Sequence, residues 1–259
     1  MPKIEKATLS KTSFAYDNTA KKPTVVVKDE AGNEIASKYY TVKYENNTKV
    51  GTAKAIITFS DRYEGTITLN FSIVLAKPTL KVSKVSQAAV ALKWNKVAGA
   101  KYYRVYAYNT KTGKYTTVVK STTATSCTVK KLAAGTTYYY LVRAYFLNKA
   151  GNEVLSPYTK ADNVKAITLC KAPTVKAAVK GKTVTLKWAK VTGAKFYRIY
   201  KYNTKTKKYT TLLKSTTKLT ASFKSQPKGN NYYLVRAFNA KSEGSAYTTK
   251  NLVKAVVKK

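Results

Sequence analysis

Residues 92–115 read LKWNKVAGAKYYRVYAYNTKTGKY, and residues 186–209 read LKWAKVTGAKFYRIYKYNTKTKKY. The two stretches are identical at 18 of 24 positions and begin 94 residues apart. A repeat of this length indicates that each copy belongs to one folding unit, because each unit must bury its own apolar face. The sequence therefore predicts a chain of modules, while it leaves the ligand of those modules open.

The length of 259 residues accommodates three modules. A period of about 94 residues leaves room for two repeats and one unrelated module of about 76 residues. We place the modules at 1–76, 77–169 and 170–259. Pro78 and Pro173 stand at the start of the two repeats, where the fixed φ of proline stiffens a short linker, so we expect an elongated array with limited bending at each joint.

Alternation of apolar and polar residues with a period of two dominates the chain, for example at 24–28, 55–59 and 138–144. This pattern predicts short strands that bury one face. Segments rich in Gly, Asn and Asp separate them and predict turns, as at 29–34 and 61–65. Many short strands with this spacing predict an all-β fold of three consecutive antiparallel β-sandwich modules.

The net charge of +38 rises along the chain, from +3 in the first module to +14 in the second and +21 in the third. A charge of this size attracts polyanions, so we expect an anionic wall polymer or glycan as partner. Lys outnumbers Arg 44 to 5. Because Lys is a hydrated point charge, a lysine-coated surface that only faces solvent is the plain alternative.

Residues suited to catalysis or metal binding are few. The chain has no histidine, and Cys127 and Cys170 are its only cysteines, which argues against a zinc site and leaves a disulfide between them open. The two repeats contain only Glu153, Asp162 and Glu243 as carboxylates, so a catalytic carboxylate pair is not available there. We therefore predict a protein that is not an enzyme and has no cofactor and no metal.

No run of 18 apolar residues occurs, so we predict no transmembrane segment. The first residues lack the apolar stretch of a signal peptide. This fits either a cytosolic protein or a fragment, and we interpret the chain as a monomeric fragment, without its signal peptide, of a longer extracellular or cell-surface protein.

Arginines and aromatic residues recur together in both repeats. If Tyr103 and Val105 point into the core, the alternate residues of that strand and of the strand facing it point outward and form a strip of rings and guanidinium groups. The candidate ligand-binding residues are Tyr102, Arg104, Tyr106, Tyr108, Tyr139, Arg143 and Tyr145 in the first repeat and Phe196, Arg198, Tyr200, Tyr202, Tyr232, Arg236 and Phe238 in the second.

Two interpretations of this strip stay open. Arg stacked on Tyr across neighbouring strands contributes about 0.5–1 kcal/mol per exposed pair, which suffices for a ladder that only stabilises the sheet. Alternatively, the strip offers stacking faces to sugar rings or bases and positive charge to anions.

Three groups of residues in the repeats carry a family resemblance. They are Leu92-Lys93-Trp94 with Gly99-Ala100, the strand Tyr103-Arg104-Val105-Tyr106, and Leu132-Ala133-Ala134-Gly135-Thr136-Thr137-Tyr138. The first two groups each have a counterpart 94 residues later in the chain. With these features residues 77–259 resemble two fibronectin type III modules of the kind common in secreted and surface proteins of gut-dwelling Firmicutes. The last group resembles the family's tyrosine corner. In the second repeat Asn231 aligns with Tyr138, so we expect that corner to be rebuilt around Tyr232 or lost.

The first module carries a resemblance of its own. Its residues are Phe14-Ala15-Tyr16-Asp17, the run from Lys22 to Asp29, Tyr40-Thr41-Val42-Lys43-Tyr44 with Asn46-Asn47, and Val50-Gly51-Thr52-Ala53. Through them residues 1–76 resemble a bacterial immunoglobulin-like module from the same class of surface proteins.

Such modules usually act as spacers or as binding accessories to enzymes and adhesins. The resemblance therefore implies a non-catalytic extracellular region of a bacterial cell-surface or secreted protein, which acts as a spacer or adhesion module. A carbohydrate-binding accessory region of a glycan-degrading enzyme is the alternative. Nucleic-acid binding through the basic surface is a second alternative, disfavoured because no nucleic-acid motif accompanies the charge.

Overall fold

The computed structural model describes residues 4–258, apart from the side chains of Glu5, Thr210 and Thr211. Within this range the chain forms 21 strands and three short 3-10 turns, which confirms the all-β prediction. No helix in the described range is long and apolar enough to cross a membrane. Three separate apolar cores form along the chain. They agree with a division into three modules, although the boundaries at 1–76, 77–169 and 170–259 stay a prediction.

The first β-sandwich packs a two-stranded sheet, β1-β3, against a four-stranded sheet of order β2-β6-β5-β4. Its strands are β1 (Ile4–Leu9), β2 (Ser13–Ala15), β3 (Val25–Asp29), β4 (Tyr40–Glu45), β5 (Gly51–Phe59) and β6 (Thr66–Val74). Val27, Ile57 and Phe71 are buried between the sheets. The turn expected at 29–34 is confirmed, because the Asp29 carboxylate accepts backbone N–H groups and Gly32 takes a φ of +80°.

The second β-sandwich packs a sheet of order β11-β8-β7 against one of order β10-β9-β12-β13, with β14 also paired to β12. Its strands are β7 (Leu80–Val85), β8 (Val90–Trp94), β9 (Tyr102–Asn109), β10 (Lys114–Thr122), β11 (Ser126–Val129), β12 (Thr137–Leu147), β13 (Glu153–Leu155) and β14 (Val164–Ile167). Trp94 is buried and packs on Tyr103 with ring centroids 5.7 Å apart. The Tyr103 hydroxyl accepts the Val97 N–H at 2.9 Å, so one side chain joins the core to the loop after β8.

The third β-sandwich repeats this plan with sheets β15-β16-β19 and β18-β17-β20-β21. Its strands are β15 (Val175–Lys180), β16 (Thr183–Trp188), β17 (Phe196–Asn203), β18 (Lys208–Thr216), β19 (Thr220–Phe223), β20 (Gly229–Phe238) and β21 (Val253–Val257). Trp188 packs on Tyr197 at 5.5 Å, and the Tyr197 hydroxyl accepts the Val191 N–H at 2.9 Å. The repeated sequence thus reproduces the same core contacts.

The two cysteines lie in different cores. Cys127 is half-buried against the core of the second sandwich, and Cys170 is fully buried in that of the third. Both are free thiols, which answers the question that the sequence left open. Burial raises the pKa of both thiols and so keeps them protonated and unreactive.

The tyrosine corner of the second sandwich forms as the resemblance implied, since the Tyr138 hydroxyl accepts the Ala133 N–H at 2.8 Å. In the third sandwich the corner is rebuilt, although not around Tyr232. Asn231 is buried at the aligned position, and its Nδ2 donates to the carbonyl oxygens of Pro227 at 2.9 Å and Gly229 at 3.2 Å. The tyrosine of the second sandwich accepts a hydrogen bond from the backbone before it. At the aligned position of the third sandwich, the Asn231 amide instead donates hydrogen bonds to backbone carbonyl groups.

Replacing Asn231 by alanine is expected to destabilise the third sandwich by about 1–3 kcal/mol, because two carbonyl groups lose their donor beside a buried strand. The neighbouring Asn230 is exposed, so Asn230→Ala is the matched control and should change stability by less than about 0.5 kcal/mol. Denaturant unfolding followed by the fluorescence of Trp188 measures both, in a Trp94→Phe background that removes the other tryptophan. Equal midpoints for the two variants would contradict the role assigned to Asn231.

The first and second sandwiches contact each other around Gly99. A methyl group on Gly99 would lie 2.8 Å from ring carbons of Tyr16, so glycine lets the ring approach the backbone. Leu75, just after β6, is buried in the core of the second sandwich. The ion pair between Lys77 Nζ and Asp162 Oδ2, 2.8 Å long, also ties the linker to the second sandwich.

The second and third sandwiches contact each other through backbone. A methyl group on Gly135 would lie 2.0 Å from the carbonyl oxygen of Thr192, and one on Gly193 would lie 2.0 Å from the carbonyl oxygen of Gly135. Both glycines have positive φ, +65° and +75°. No side chain can be added between them without moving the two backbones apart, so this joint depends on both glycines.

Candidate binding face

The candidate residues lie on the β9 and β12 strands of the second sandwich and on β17 and β20 of the third. The two strands pair antiparallel in each case, as expected, with Arg104 opposite Arg143 and Arg198 opposite Arg236. Because side chains alternate across a strand, these pairs and their neighbours two residues away share one face of the sheet. We refer to it as the arginine face.

Part of the arginine face is closed by its own side chains. Tyr145 and Phe238 are each only 4% exposed, although both belong to the predicted strip. The guanidinium carbon of Arg104 lies 5.0 Å from the Tyr145 ring centroid, and that of Arg198 lies 4.7 Å from the Phe238 ring centroid. The two arginines therefore cover the rings that alternation alone would leave open to a ligand, and neither ring is free to stack on one.

Tyr102 and Phe196 extend this covered layer. Tyr102 lies opposite Tyr145 with ring centroids 5.3 Å apart, and Phe196 stacks on Phe238 at 5.0 Å with an interplanar angle of 10°. Both rings are half-buried. These contacts have the geometry of a ladder that stabilises the sheet, which was one of the two interpretations of the strip.

Arg104 is held by a carboxylate. Its Nη1 and Nη2 donate to the two oxygens of Glu153 at 2.9 and 2.5 Å, and its Nε donates to the Lys120 carbonyl at 2.8 Å. The hydrogen bonds from Arg104 lower the pKa of Glu153, and those to Glu153 raise the pKa of Arg104. Each of the three guanidinium nitrogens of Arg104 therefore donates to an acceptor within the protein.

Two serines that the sequence analysis did not single out position the other arginines. Arg143 Nε donates to the Ser156 carbonyl at 2.8 Å, and Arg236 Nε donates to the Ser245 carbonyl at 3.0 Å. Both serines are fully buried, and each hydroxyl accepts an N–H from the strand beside it, that of Ala144 or Ala237. The arginine is thus fixed to a buried bend of the chain.

An exposed aromatic cluster lies beside each of these two arginines. Tyr158, 43% exposed, packs edge-on against Tyr115 at 5.4 Å and under Arg143 at 4.8 Å. Tyr115 also contacts Tyr108 at 4.9 Å. The cluster therefore presents rings and a guanidinium group to solvent.

The third sandwich repeats the cluster. Tyr247, 41% exposed, packs against Tyr209 at 4.8 Å and under Arg236 at 4.6 Å, and Tyr209 contacts Tyr202 at 5.0 Å. Tyr115, Tyr158, Tyr209 and Tyr247 were missed from sequence. A second, shorter repeat, Ser-x-Tyr-Thr at 156–159 and 245–248, was the signal that could have found two of them.

The remaining candidates are half-buried on the same face. Tyr106 contacts Tyr115 at 6.3 Å, and Tyr200 lies opposite Leu234, as Tyr106 lies opposite Leu141. Leu141 and Leu234 are buried, which shows that the outer face has its own apolar packing. Tyr139 and Tyr232 lie on the β12 and β20 strands opposite Lys165 and Lys254. They join no aromatic pair among the described residues.

The fold and this face define a chain of β-sandwiches whose repeated units carry half-open arginine and tyrosine clusters. Among residues 4–258, no group of three or more His, Cys, Asp or Glu side chains is placed to hold a metal ion. Four carboxylates, those of Asp17, Glu45, Glu153 and Asp162, form ion pairs, and that of Asp29 accepts hydrogen bonds in a turn.

Comparison with known proteins identifies one of these units. Residues 76–162 match the model of the fibronectin type III domain, so the chain contains one such domain over those residues. No curated protein matches the chain. The matched segment agrees with the resemblance seen in the second module, while a second such module and the immunoglobulin-like nature of the first stay predictions.

Solved structures similar to this chain include fibronectin type III domains. A two-domain fibronectin type III segment from chicken tenascin is 19% identical, covers 71% of this chain and all of its own length, and has a TM-score of 0.41. A crystal structure of FN3tt is 23% identical over 37% of this chain and 96% of its own, with a TM-score of 0.30. The fibronectin type III domain of human fibronectin type III domain containing protein 3 is 22% identical, covers 37% of this chain and 84% of its own length, and has a TM-score of 0.29.

Proposed function

We propose that this chain is a non-catalytic spacer and attachment region of a bacterial cell-surface or secreted protein, and that its basic surface holds it against an anionic wall polymer or an acidic glycan. Support for the modular role comes from the fibronectin type III match and from the succession of three small cores. Support for the attachment role comes from the unpaired charge of the third sandwich.

The observation that carries the proposal is the distribution of ion pairs. Four ion pairs form among the described residues, and all lie between residues 17 and 162. Residues 170–259 contain 22 basic residues and a single acid, Glu243, which instead accepts a hydrogen bond from Asn239. Most of these lysines are exposed. Their field is therefore unopposed within the third sandwich and attracts a polyanion.

Binding of the whole chain to immobilised polygalacturonate is expected to fall steeply as salt rises. The Debye length shrinks from about 10 Å at 0.1 M salt to about 3 Å at 1 M, so contacts between exposed charges are screened. Biolayer interferometry at the two salt concentrations measures the change, with neutral dextran as the control surface. Retention that is the same at 1 M as at 0.1 M, or absent at both, would show that the lysine surface does not attach the chain.

A carbohydrate-binding accessory role is the second candidate, favoured by the exposed aromatic clusters. Tyr158 and Tyr247 present ring surface beside an arginine, as a platform for a sugar ring requires. Binding to a neutral polysaccharide that resists salt and is lost in the double variant Tyr158→Ala, Tyr247→Ala would favour this role over electrostatic attachment.

A further inference from the structure

The two repeats differ in how they neutralise the same pair of arginines. Arginines face each other across the strands in both, and like charges placed directly opposite destabilise a sheet. In the second sandwich Glu153 offsets this repulsion by accepting two hydrogen bonds from Arg104. In the third sandwich Arg198 and Arg236 take part in no ion pair with the described residues.

The length of one hairpin causes this difference. In the second sandwich β12 and β13 continue past the rung Tyr145–Leu155 to the rung Leu147–Glu153, which places the carboxylate on the arginine face. In the third sandwich the ladder ends at the corresponding rung, Phe238–Gly244. The intervening turn has five residues, 239–243, where the second sandwich has nine, 146–154. The third sandwich therefore has no residue pair equivalent to Leu147–Glu153, the pair that places a carboxylate on the arginine face.

Arg198 also lacks the carbonyl that Arg104 uses. In the second sandwich the register of β10 shifts between Val119 and Thr122, and the Lys120 carbonyl in this irregular stretch accepts from Arg104. In the third sandwich Arg198 pairs regularly with Ser215, and its Nε is buried without a hydrogen-bond partner among the described residues. A ligand cannot reach this buried Nε, but the Nη1 and Nη2 groups of Arg198 donate no hydrogen bond among the described residues and are not buried, so they can donate to an external acceptor.

The second sandwich shows which chemical group suits such an arginine. There a carboxylate occupies the fork of Arg104, and aromatic residues flank the arginine in both repeats, namely Tyr102, Tyr106 and Tyr145 in the second sandwich and Phe196, Tyr200 and Phe238 in the third. Tyr200 lies two residues from Arg198 on the same face, is half-buried, and offers aromatic ring surface beside the guanidinium group. An acidic sugar suits both features, because its carboxylate matches the guanidinium fork and its ring matches an aromatic face.

We propose that Arg198 of the third sandwich binds the carboxylate of a uronic acid residue, and that Glu153 fills the equivalent position of the second sandwich from within the chain. The choice of an acidic sugar rests on the proposed attachment to acidic glycan. The pairing of Arg198 with a carboxylate rests only on the comparison of the two repeats. The third sandwich therefore has a specific site within its general basic surface.

A titration of the whole chain with a galacturonic acid trisaccharide tests the site. The chain has five arginines, so its arginine Nε–H signals form a small set in a ¹H–¹⁵N spectrum. The Arg198 signal is expected to shift with the acid and to stay in place with the trisaccharide methyl ester, which lacks the charge. Arg198→Lys keeps the net charge but loses the fork, and should weaken binding by about tenfold or more. Arg104→Lys is the matched control and should leave the affinity unchanged.

A pair of reciprocal variants tests the internal carboxylate. Glu153→Ala frees Arg104 and is expected to raise the stoichiometry from one trisaccharide per chain to two. Replacing residues 239–243 by the sequence of 146–154 brings the acidic rung to the third sandwich and should abolish the shift of the Arg198 signal. The same graft carrying alanine in place of the glutamate should retain it, which separates the effect of the carboxylate from that of the longer hairpin.

The outcomes distinguish this site from the general attachment. An Arg198 signal that does not move with the acid would overturn the site, even if polygalacturonate still binds the chain through its lysines. A shift that is equal for the acid and its methyl ester would overturn it as well. The Arg198 signal could also shift with the trisaccharide while the chain is not retained on immobilised polygalacturonate. That result would support the Arg198 site and contradict the proposed electrostatic attachment.

Discussion

Replacing Trp94 by alanine is expected to lower the stability of the second sandwich by about 3–5 kcal/mol, a large part of what holds a domain of this size together. Trp94 is 3% exposed, and its ring packs on Tyr103, whose hydroxyl in turn holds the loop after β8 through the Val97 N–H. Removing the indole leaves a cavity in a small core and releases that loop. Calorimetry of the whole chain should show one transition moved to a much lower temperature.

The two tryptophans allow the loss of stability in Trp94→Ala to be assigned to the second sandwich alone. Trp94 and Trp188 are the only ones in the chain, and each lies in a different core. In Trp94→Ala the fluorescence of Trp188 reports the third sandwich alone, whose denaturation midpoint should stay close to its original value. Trp188→Ala provides the mirror experiment, with Trp94 as reporter. Each variant is expected to lower the denaturation midpoint of the sandwich that carries the substitution. If the midpoint of the unchanged sandwich falls by the same amount, the two units do not fold separately.

The second large effect is expected at the joint between the second and third sandwiches. Gly135→Ala adds a methyl group where the Thr192 carbonyl oxygen stands 2.0 Å away, so the two sandwiches must separate. Small-angle X-ray scattering should show a larger radius of gyration. Hydrogen exchange at the Thr192 loop should also become faster.

Gly113→Ala is the matched control for this change. Gly113 has a φ of +69°, close to the +65° of Gly135, and a methyl group there meets no atom within 4 Å. Both variants therefore carry the same backbone strain, about 1 kcal/mol, while only one breaks the joint. Gly193→Ala should reproduce the scattering change from the other side. Scattering curves that do not differ between Gly135→Ala and Gly113→Ala would refute the contact.

Much of the fold could be predicted because strand formation and local core contacts depend on near neighbours. The repeat around Trp94 and Trp188 predicted two equivalent sandwiches, and the alternation around Arg104 predicted which side chains share a face. The turn at Asp29 was predicted for the same reason, since a carboxylate bonds to backbone only a few residues away.

The candidate face was predicted less completely, because its character depends on contacts between distant residues. Alternation placed Tyr145 and Phe238 on the outer face, but their cover by Arg104 and Arg198 depends on side chains from another strand. The tyrosines at 158 and 247 join the clusters through the bend that follows β13 or its shorter counterpart. Sequence spacing within one strand carries no information on such packing.

The corner of the third sandwich illustrates the same limit. The alignment showed that Asn231 replaces a tyrosine, and the expected substitute was Tyr232. Asn231 itself makes the bonds, because its short amide can reach the Pro227 carbonyl just before β20 and the Gly229 carbonyl at the start of that strand. Reach and direction of a side chain decided the outcome, and both depend on the path of the backbone.

The amino-acid sequence by itself determined the modular plan, the all-β class, the two repeated cores and the excess of positive charge, since these follow from composition and from periodicities within a few residues. Only the tertiary structure decided that Arg104 is neutralised by Glu153 while Arg198 is not. The two residues of the pair are 49 positions apart, and they meet only because a hairpin of sufficient length folds back over the arginine face.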